Sequence, residues 1–416
     1  MFRSSCVALS FVLLLVTSAQ LSAADANWPR WRGPGQAGHS SDADLPLKWN
    51  ADSILWKTSL PGEGCSSPVT WGGRVFLTSA LEGGRERVVF CVDRKSGKLL
   101  WQDVAWTGEP EKTHRMNGHA SATCVTDGER VYAFFGRGGL HCYSVAGQAL
   151  WSKDLGRFES PWGTAACPVL VGDILVQNCD ADADSYIVGL DKKTGEQIWR
   201  TPRDETRGWS TPVLVSVDGH EELVLNGDRG VRGYNPKTGE ALWFCSSYIG
   251  RGTPTVTPAG ELMIALNGKR GDIYAVKPGG RGDVSQSRRA WHVPRTTGRD
   301  IGSPIVIDDY MLVMSLKPYT IACYQASTGK ELWIERVDGE QCSSTPIAYR
   351  GHAVFIQEGG KAIVVKPGPT PEIVAENVLG ETGEEIFRAS ITPNEGTLLI
   401  RSDKTLYCVG GEAAGK

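Results

Sequence analysis

The chain has 416 residues, with 44 Lys and Arg against 47 Asp and Glu, and 50 of its residues are glycine. A formal charge of −3, with both signs mixed along the chain, provides neither the basic stripe that a nucleic-acid partner needs nor an acidic tail. Glycine is well above its average share of about 7%, as expected of a chain with many tight turns.

Residues 1–24 read as an export signal. Arg3 gives a positive start, Val7 to Val16 an apolar core, and Leu21-Ser22-Ala23-Ala24 a small-residue cleavage site. The apolar run is far shorter than the roughly twenty residues of a spanning helix. Cys6 precedes it and is not placed to carry lipid after cleavage. The expectation is an extracytoplasmic protein, periplasmic or secreted, with no transmembrane segment. Residues 25–52 form an N-terminal extension, 53–410 a single repeat domain and 411–416 a tail.

The repeat is carried by five windows with Gly fifth and Trp ninth: DRKSGKLLW ending at Trp101, YSVAGQALW at Trp151, DKKTGEQIW at Trp199, NPKTGEALW at Trp243 and QASTGKELW at Trp333. A polar turn with Gly where positive φ is needed, between apolar runs, is a β-hairpin signal. A second signature opens each repeat, a small hydroxyl or thiol residue usually followed by Pro and a short apolar strand. It occurs at Ser67, Thr123, Cys167, Thr211, Thr253, Ser303, Thr345 and Ser390, which gives eight repeats. Pro is tolerated at a strand's first residue because no ladder donor is needed there. With four strands per repeat of about 49 residues, the spacing predicts an all-β, eight-bladed propeller of four-stranded antiparallel blades.

The last repeat lacks a fourth strand, whereas Ser53–Leu60, SILWKTSL, is a fourth strand lacking its first three. The N-terminal strand is therefore expected to complete the C-terminal blade and close the ring, with Trp56 beside Leu406 and Tyr407. Seven blades carry Trp on the fourth strand (56, 101, 151, 199, 243, 291 and 333), and one large aromatic per repeat is expected to pack blade against blade. Cys91, Cys142, Cys323 and Cys408 occupy one equivalent place in four blades. Such positions are too far apart to bridge, so they read as small core thiols.

Turn, Trp and small-Pro signature together resemble the PQQ-like, quinoprotein-type eight-bladed propeller family. The opening NWPRWRGPG, Asn27–Gly35, is similar to secreted planctomycete-type PQQ-repeat proteins. The resemblance implies one of two classes: quinone-cofactor dehydrogenases for alcohols or sugars, or a non-catalytic branch similar to the outer-membrane assembly factor BamB. It also implies, for the first class, a vicinal Cys-Cys platform, a calcium held by Glu and Asn and a catalytic Asp. No Cys-Cys pair occurs here, and no such Glu, Asn and Asp set maps onto the chain. PQQ and Ca²⁺ are accordingly not expected.

The loops leading into the first strands and those joining second to third strands share one face around the central channel. Arg115, His119, Trp162, Arg207, Trp209, Arg251 and Arg388 fall there and are the ligand-binding candidates, suited to an anionic or sugar-like ligand. Asp180, Asp182 and Asp184 alternate as a candidate Ca²⁺ loop, but without the Gly and distal Glu of an EF-hand they read as a solvated acidic turn. No nucleophile elbow or phosphate loop stands out. The expected function is an exported, non-catalytic binding or assembly scaffold whose partner is an envelope or extracellular protein, or a small ligand at the channel face. The alternative is a quinone- or metal-dependent oxidoreductase with a non-standard active site.

Overall fold

The computed structural model describes residues 27–158, 160–247, 251–268, 272–294 and 301–411; the export signal read over 1–24 lies outside the described residues. Eight sheets of at least four strands are arranged as successive blades. Blade 1 comprises Val69–Trp71, Arg74–Leu81, Glu86–Asp93 and Leu99–Thr107. Blades 2 to 7 repeat the antiparallel pattern, each beginning one strand after the last has ended, with blade 3, for example, spanning Val169–Val171 to Gln197–Pro202. In blade 8, Thr392–Asn394, Thr397–Arg401 and Thr405–Val409 are completed by Ile54–Ser59. That strand runs antiparallel to the third, with Trp56 opposite Cys408 and Thr58 opposite Leu406. The closure is as expected, with one correction of register: Leu406 shares an apolar cluster with Trp56, whereas Tyr407 points to the opposite face and packs with Phe387 and Leu398.

The Gly and Trp positions of the repeat belong to one joint. An ideal Cβ at Gly97, Gly147, Gly195, Gly239 or Gly329 would lie 2.3–2.7 Å from the indole of the preceding blade (Trp56, Trp101, Trp151, Trp199 and Trp291 respectively). All five glycines have positive φ, so the residue is required both by the turn and by the ring stacked on it. The indole N–H of Trp101, Trp151, Trp199, Trp291 and Trp333 donates to a carbonyl of the next blade's turn at 3.0–3.2 Å. Trp243 differs because the turn of blade 5 is replaced by a longer insertion; its Nε1 donates instead to Glu222 of its own blade at 2.7 Å. Gly282–Asp283 of that insertion adds a parallel fifth strand to the edge of blade 4.

The four equivalent cysteines have a steric explanation. Cys91, Cys142, Cys323 and Cys408 each lie opposite the Trp of their own blade, where other blades have Gly189, Gly233 or Ala275. A small residue is needed beneath the indole. Burial pushes the thiols of Cys91 and Cys142 up to about 12, and all ten cysteines among the described residues are free. Beside Trp56, Trp101, Trp151 and Trp199 the ladder slips by one residue, and the bulged neighbour is turned outward. This is why Leu55, Leu100, Leu150 and Ile198 are exposed on the rim.

The small residue that opens each repeat forms a ring around the axis. The backbone N–H of Ser67 donates to Thr123 Oγ1 (2.9 Å), Thr123 to Cys167 Sγ (3.2 Å), Cys167 to Thr211 Oγ1 (3.0 Å) and Thr211 to Thr255 Oγ1 (2.9 Å). Thr255 then donates to Ser303 Oγ (2.9 Å), Ser303 to Thr345 Oγ1 (3.0 Å), Thr345 to Ser390 Oγ (3.3 Å), and Ser390 back to Ser67 Oγ (3.0 Å). The circle is complete, with each strand start satisfied by the next blade. Blade 5 contributes Thr255 rather than the expected Thr253, because its strand starts two residues later than the Thr-Pro signature suggests.

The N-terminal extension is a built element rather than a linker. It pairs with blade 1 through Trp28 and Thr70, accepts the Thr126 N–H of blade 2 at Pro29 O and runs beside the first strand of blade 7 at His39–Ser40. Arg32 is buried, donating to Thr257 Oγ1 at 3.0 Å and to Pro304 O at 2.9 Å in blades 5 and 6. With no carboxylate against it, burial lowers its guanidinium to about 9. Gly33 turns the chain under the Trp28 ring, 2.6 Å from where a Cβ would sit. From there the segment runs outward along blades 7 and 8, where the Trp49 N–H donates to Asn377 Oδ1 and Tyr349 Oη to Pro46 O, and delivers Ile54 to the rim.

Candidate functional site

The N-terminal extension acts as a plug, and with the ring it bounds an axial cavity of about 210 Å³. Trp31 is its floor, its indole N–H donating to Ser390 Oγ at 3.3 Å. Above the ring, the wall comes from the loops leading into the first strands, among them His114, Met116 and Asn117 of blade 2, Trp162 of blade 3, Trp209 of blade 4 and Arg251 of blade 5. Trp162 is held on several sides. Asn117 Nδ2 donates to its carbonyl at 2.8 Å, the His114 ring lies 4.3 Å from its ring, and the Arg251 guanidinium sits 4.5 Å from its centroid, a cation–π arrangement. Trp209 is fixed by its Nε1–H donating to Gly163 O at 2.8 Å.

Of the sequence candidates, Trp162, Trp209, Arg251 and Arg388 line this cavity. The other three are elsewhere. His119 turns away from the axis and packs over Gly84, with Nδ1 3.2 Å from Arg87 Nη2. Burial and then Arg87 hold it below the ordinary histidine value, against Glu111. Arg207 pairs with Asp182 at 2.5 Å. Arg115 is exposed on the rim and offers its backbone carbonyl to Arg388 Nη1 at 3.1 Å. Arg388 is also paired with Glu358 at 3.1 Å, and Glu358 accepts from Gln341 at 2.9 Å and from Ser343.

The three alternating carboxylates do not converge. Asp180 is fully buried in an ion pair with Arg203, Nε to Oδ1 2.7 Å, and Arg203 also donates to Tyr234 Oη at 2.5 Å. Asp182 goes to Arg207, and Asp184 occupies the turn at φ 55. Nearby, Glu205 is buried beside Asp228 and accepts from the Arg229 N–H at 2.9 Å and Arg232 Nε at 3.1 Å. Burial, then its hydrogen bond to Asp228, raises Glu205 to about 7.

A PQQ–Ca²⁺ pair would need hard oxygen ligands. Among the described residues lining the cavity there is no Asp or Glu, and the nearby Glu358 is already engaged by Arg388. These residues do not fit that cofactor. Sequence reasoning missed Trp31 and Met116. The available signal for Trp31 was the density of Trp, Arg and Gly in NWPRWRGPG, ahead of the first strand and outside the repeat.

Comparison with known proteins agrees with the architecture. A curated outer membrane protein assembly factor BamB from Burkholderia pseudomallei (strain K96243) is 24% identical over 300 residues, covering 67% of this chain and 68% of that protein. The crystal structure of BamB from Moraxella catarrhalis superposes with a TM-score of 0.63 at 14% identity, covering 87% of this chain and 98% of that one. A europium-containing methanol dehydrogenase superposes at 0.69 with 12% identity, covering 92% and 90%. At such identity the two structures establish a common fold alone. The family model for outer membrane protein assembly factor BamB matches residues 41–161 and 88–335, and the chain belongs to that family of PQQ-like propellers.

Proposed function

We propose that the protein is an exported, non-catalytic propeller scaffold that engages an envelope protein through its channel face, the face opposite the plug. The observation that carries this reading is how the axial groups are used. The eight side chains of the ring each accept the preceding blade's N–H. The acceptor atoms of the ring are thereby committed to holding the blades together. Membership of a family named for an assembly factor supports the same reading, as does a rigid ring sealed on one face, which leaves the other free for contact.

The test is affinity isolation of the tagged chain from its native envelope after mild cross-linking, followed by gel filtration. A stoichiometric protein complex that is weakened by Arg115→Glu, a charge reversal on the exposed rim, is expected. Elution of the chain alone, together with dye reduction on an alcohol or sugar after incubation with PQQ and Ca²⁺, would overturn the reading in favour of the oxidoreductase class.

A further inference from the structure

The axial cavity is lined at its base by the ring of small residues and above it by unlike loops. On the side of blades 6, 7, 8 and 1 are the hydroxyls of Ser303, Thr345, Ser390 and Ser67. Each oxygen already accepts a backbone N–H, and Ser390 Oγ accepts the Trp31 indole as well. A hydroxyl whose oxygen is committed in this way is left with its proton to donate, and none of the four donates to a protein acceptor among the described residues. Arg388 extends the same wall. Facing it, on blades 2 to 4, the ring continues with Thr123, Cys167 and Thr211, and above it stand Asn117, Met116, Trp162 and Trp209, with the Trp31 ring beneath. Among the described lining residues no carboxylate is present to repel an anion; of these donors Arg388 is shared with Glu358, at 3.1 Å.

We propose that this cavity is a binding site for a small carboxylate carrying an apolar body, its oxygens on the hydroxyl arc and its body against Trp162, Trp209 and Met116. A carboxylate offers about four lone-pair sites and no proton, which matches convergent O–H donors. The aromatic wall and floor take up the apolar part out of water. A space of about 210 Å³ corresponds to about seven waters at their liquid share of ~30 Å³ each, enough for a molecule the size of phenylacetate. The inference rests on the channel face being a binding face. It is separable from the scaffold reading, since a chain that isolates without a partner yet binds the acid would lose the scaffold and keep the site.

The experiment is calorimetric titration of the full chain with phenylacetate, phenylacetamide, acetate and glucose. Saturable binding of phenylacetate is expected, with a dissociation constant on the order of 0.1–1 mM for a ligand of about ten non-hydrogen atoms. Phenylacetamide and acetate should each bind at least about tenfold more weakly, since each loses half of the recognition. Trp162→Ala should reduce phenylacetate affinity about tenfold, and Thr345→Val likewise where Thr345→Ser does not. Circular dichroism establishes that each variant is folded; should Thr345→Val not fold, Trp162→Ala carries the test. No saturable binding of phenylacetate at 10-fold above that range, equal binding of the amide, preference for glucose, or undiminished affinity in Trp162→Ala would each overturn the proposal.

Discussion

Replacing Gly97 by Ala interrogates the seam where the chain's two ends meet. Gly97 belongs to blade 1, whereas Trp56 completes blade 8, so their contact lies in the joint between the last and first blades. Gly97 has φ 69. An added Cβ would lie 2.3 Å from Trp56 Cε3 and 2.5 Å from Thr58 Oγ1. The left-handed backbone alone costs an alanine about 1 kcal/mol. The indole must also move. A partly exposed Trp covering about 100 Å² of apolar surface contributes about 2.5 kcal/mol at ~25 cal/mol per Å², and displacing it forfeits most of that. Gly97→Ala should therefore cost about 3 kcal/mol. Trp56→Ala should cost about 2–3 kcal/mol rather than the upper range for a fully buried aromatic, because Trp56 is only half-buried. In the Trp56→Ala background, Gly97→Ala should cost only about 1 kcal/mol, a coupling of about 2 kcal/mol across the joint between blades 8 and 1. Urea unfolding followed by circular dichroism on the four proteins measures this directly. Additivity to within about 0.5 kcal/mol would refute the stacking of Trp56 on the turn of blade 1.

Two further outcomes follow from buried carboxylates. Glu205 sits at about 7 in the folded chain, above its ordinary value, so between the two values the native state holds more protons than the unfolded one. Its contribution is complete below the unfolded value and is lost as pH rises through about 7. Glu205→Gln should remove that slope and raise stability at pH 8 by up to about 3 kcal/mol, checked by urea midpoints from pH 4 to 8; a parallel slope in the variant would contradict it. Asp180→Asn should cost about 3–5 kcal/mol by leaving the Arg203 charge buried and unpaired. Differential scanning calorimetry checks this with and without Ca²⁺, and a Ca²⁺-dependent stabilisation lost in the variant would instead make Asp180 a metal ligand.

The amino-acid sequence by itself determined the architecture, because each blade repeats the same local rules. A Gly turn, a Trp four residues later and a small residue at the first strand recur at fixed spacing, so errors in any one blade are corrected by the others. Closure was legible for the same reason: Ser53–Leu60 is recognisably a fourth strand without its own blade. Even the exceptions were local, with Trp243 departing from the joint where the turn of blade 5 is interrupted. Only the tertiary structure decided which residues face the axis. His119 lies in the same loop as His114 and Met116, and Arg207 in that of Trp209, yet they are drawn off by Arg87 and Asp182, partners that are distant in sequence and follow no period. The plug is the clearest case. Arg32 reaches Thr257 and Pro304 across more than two hundred residues, and a segment outside the repeat has no equivalent in the other blades from which its place could be read. Periodic packing is written into each repeat; the floor of the channel arises from contacts made once, and those only the folded ring brings together.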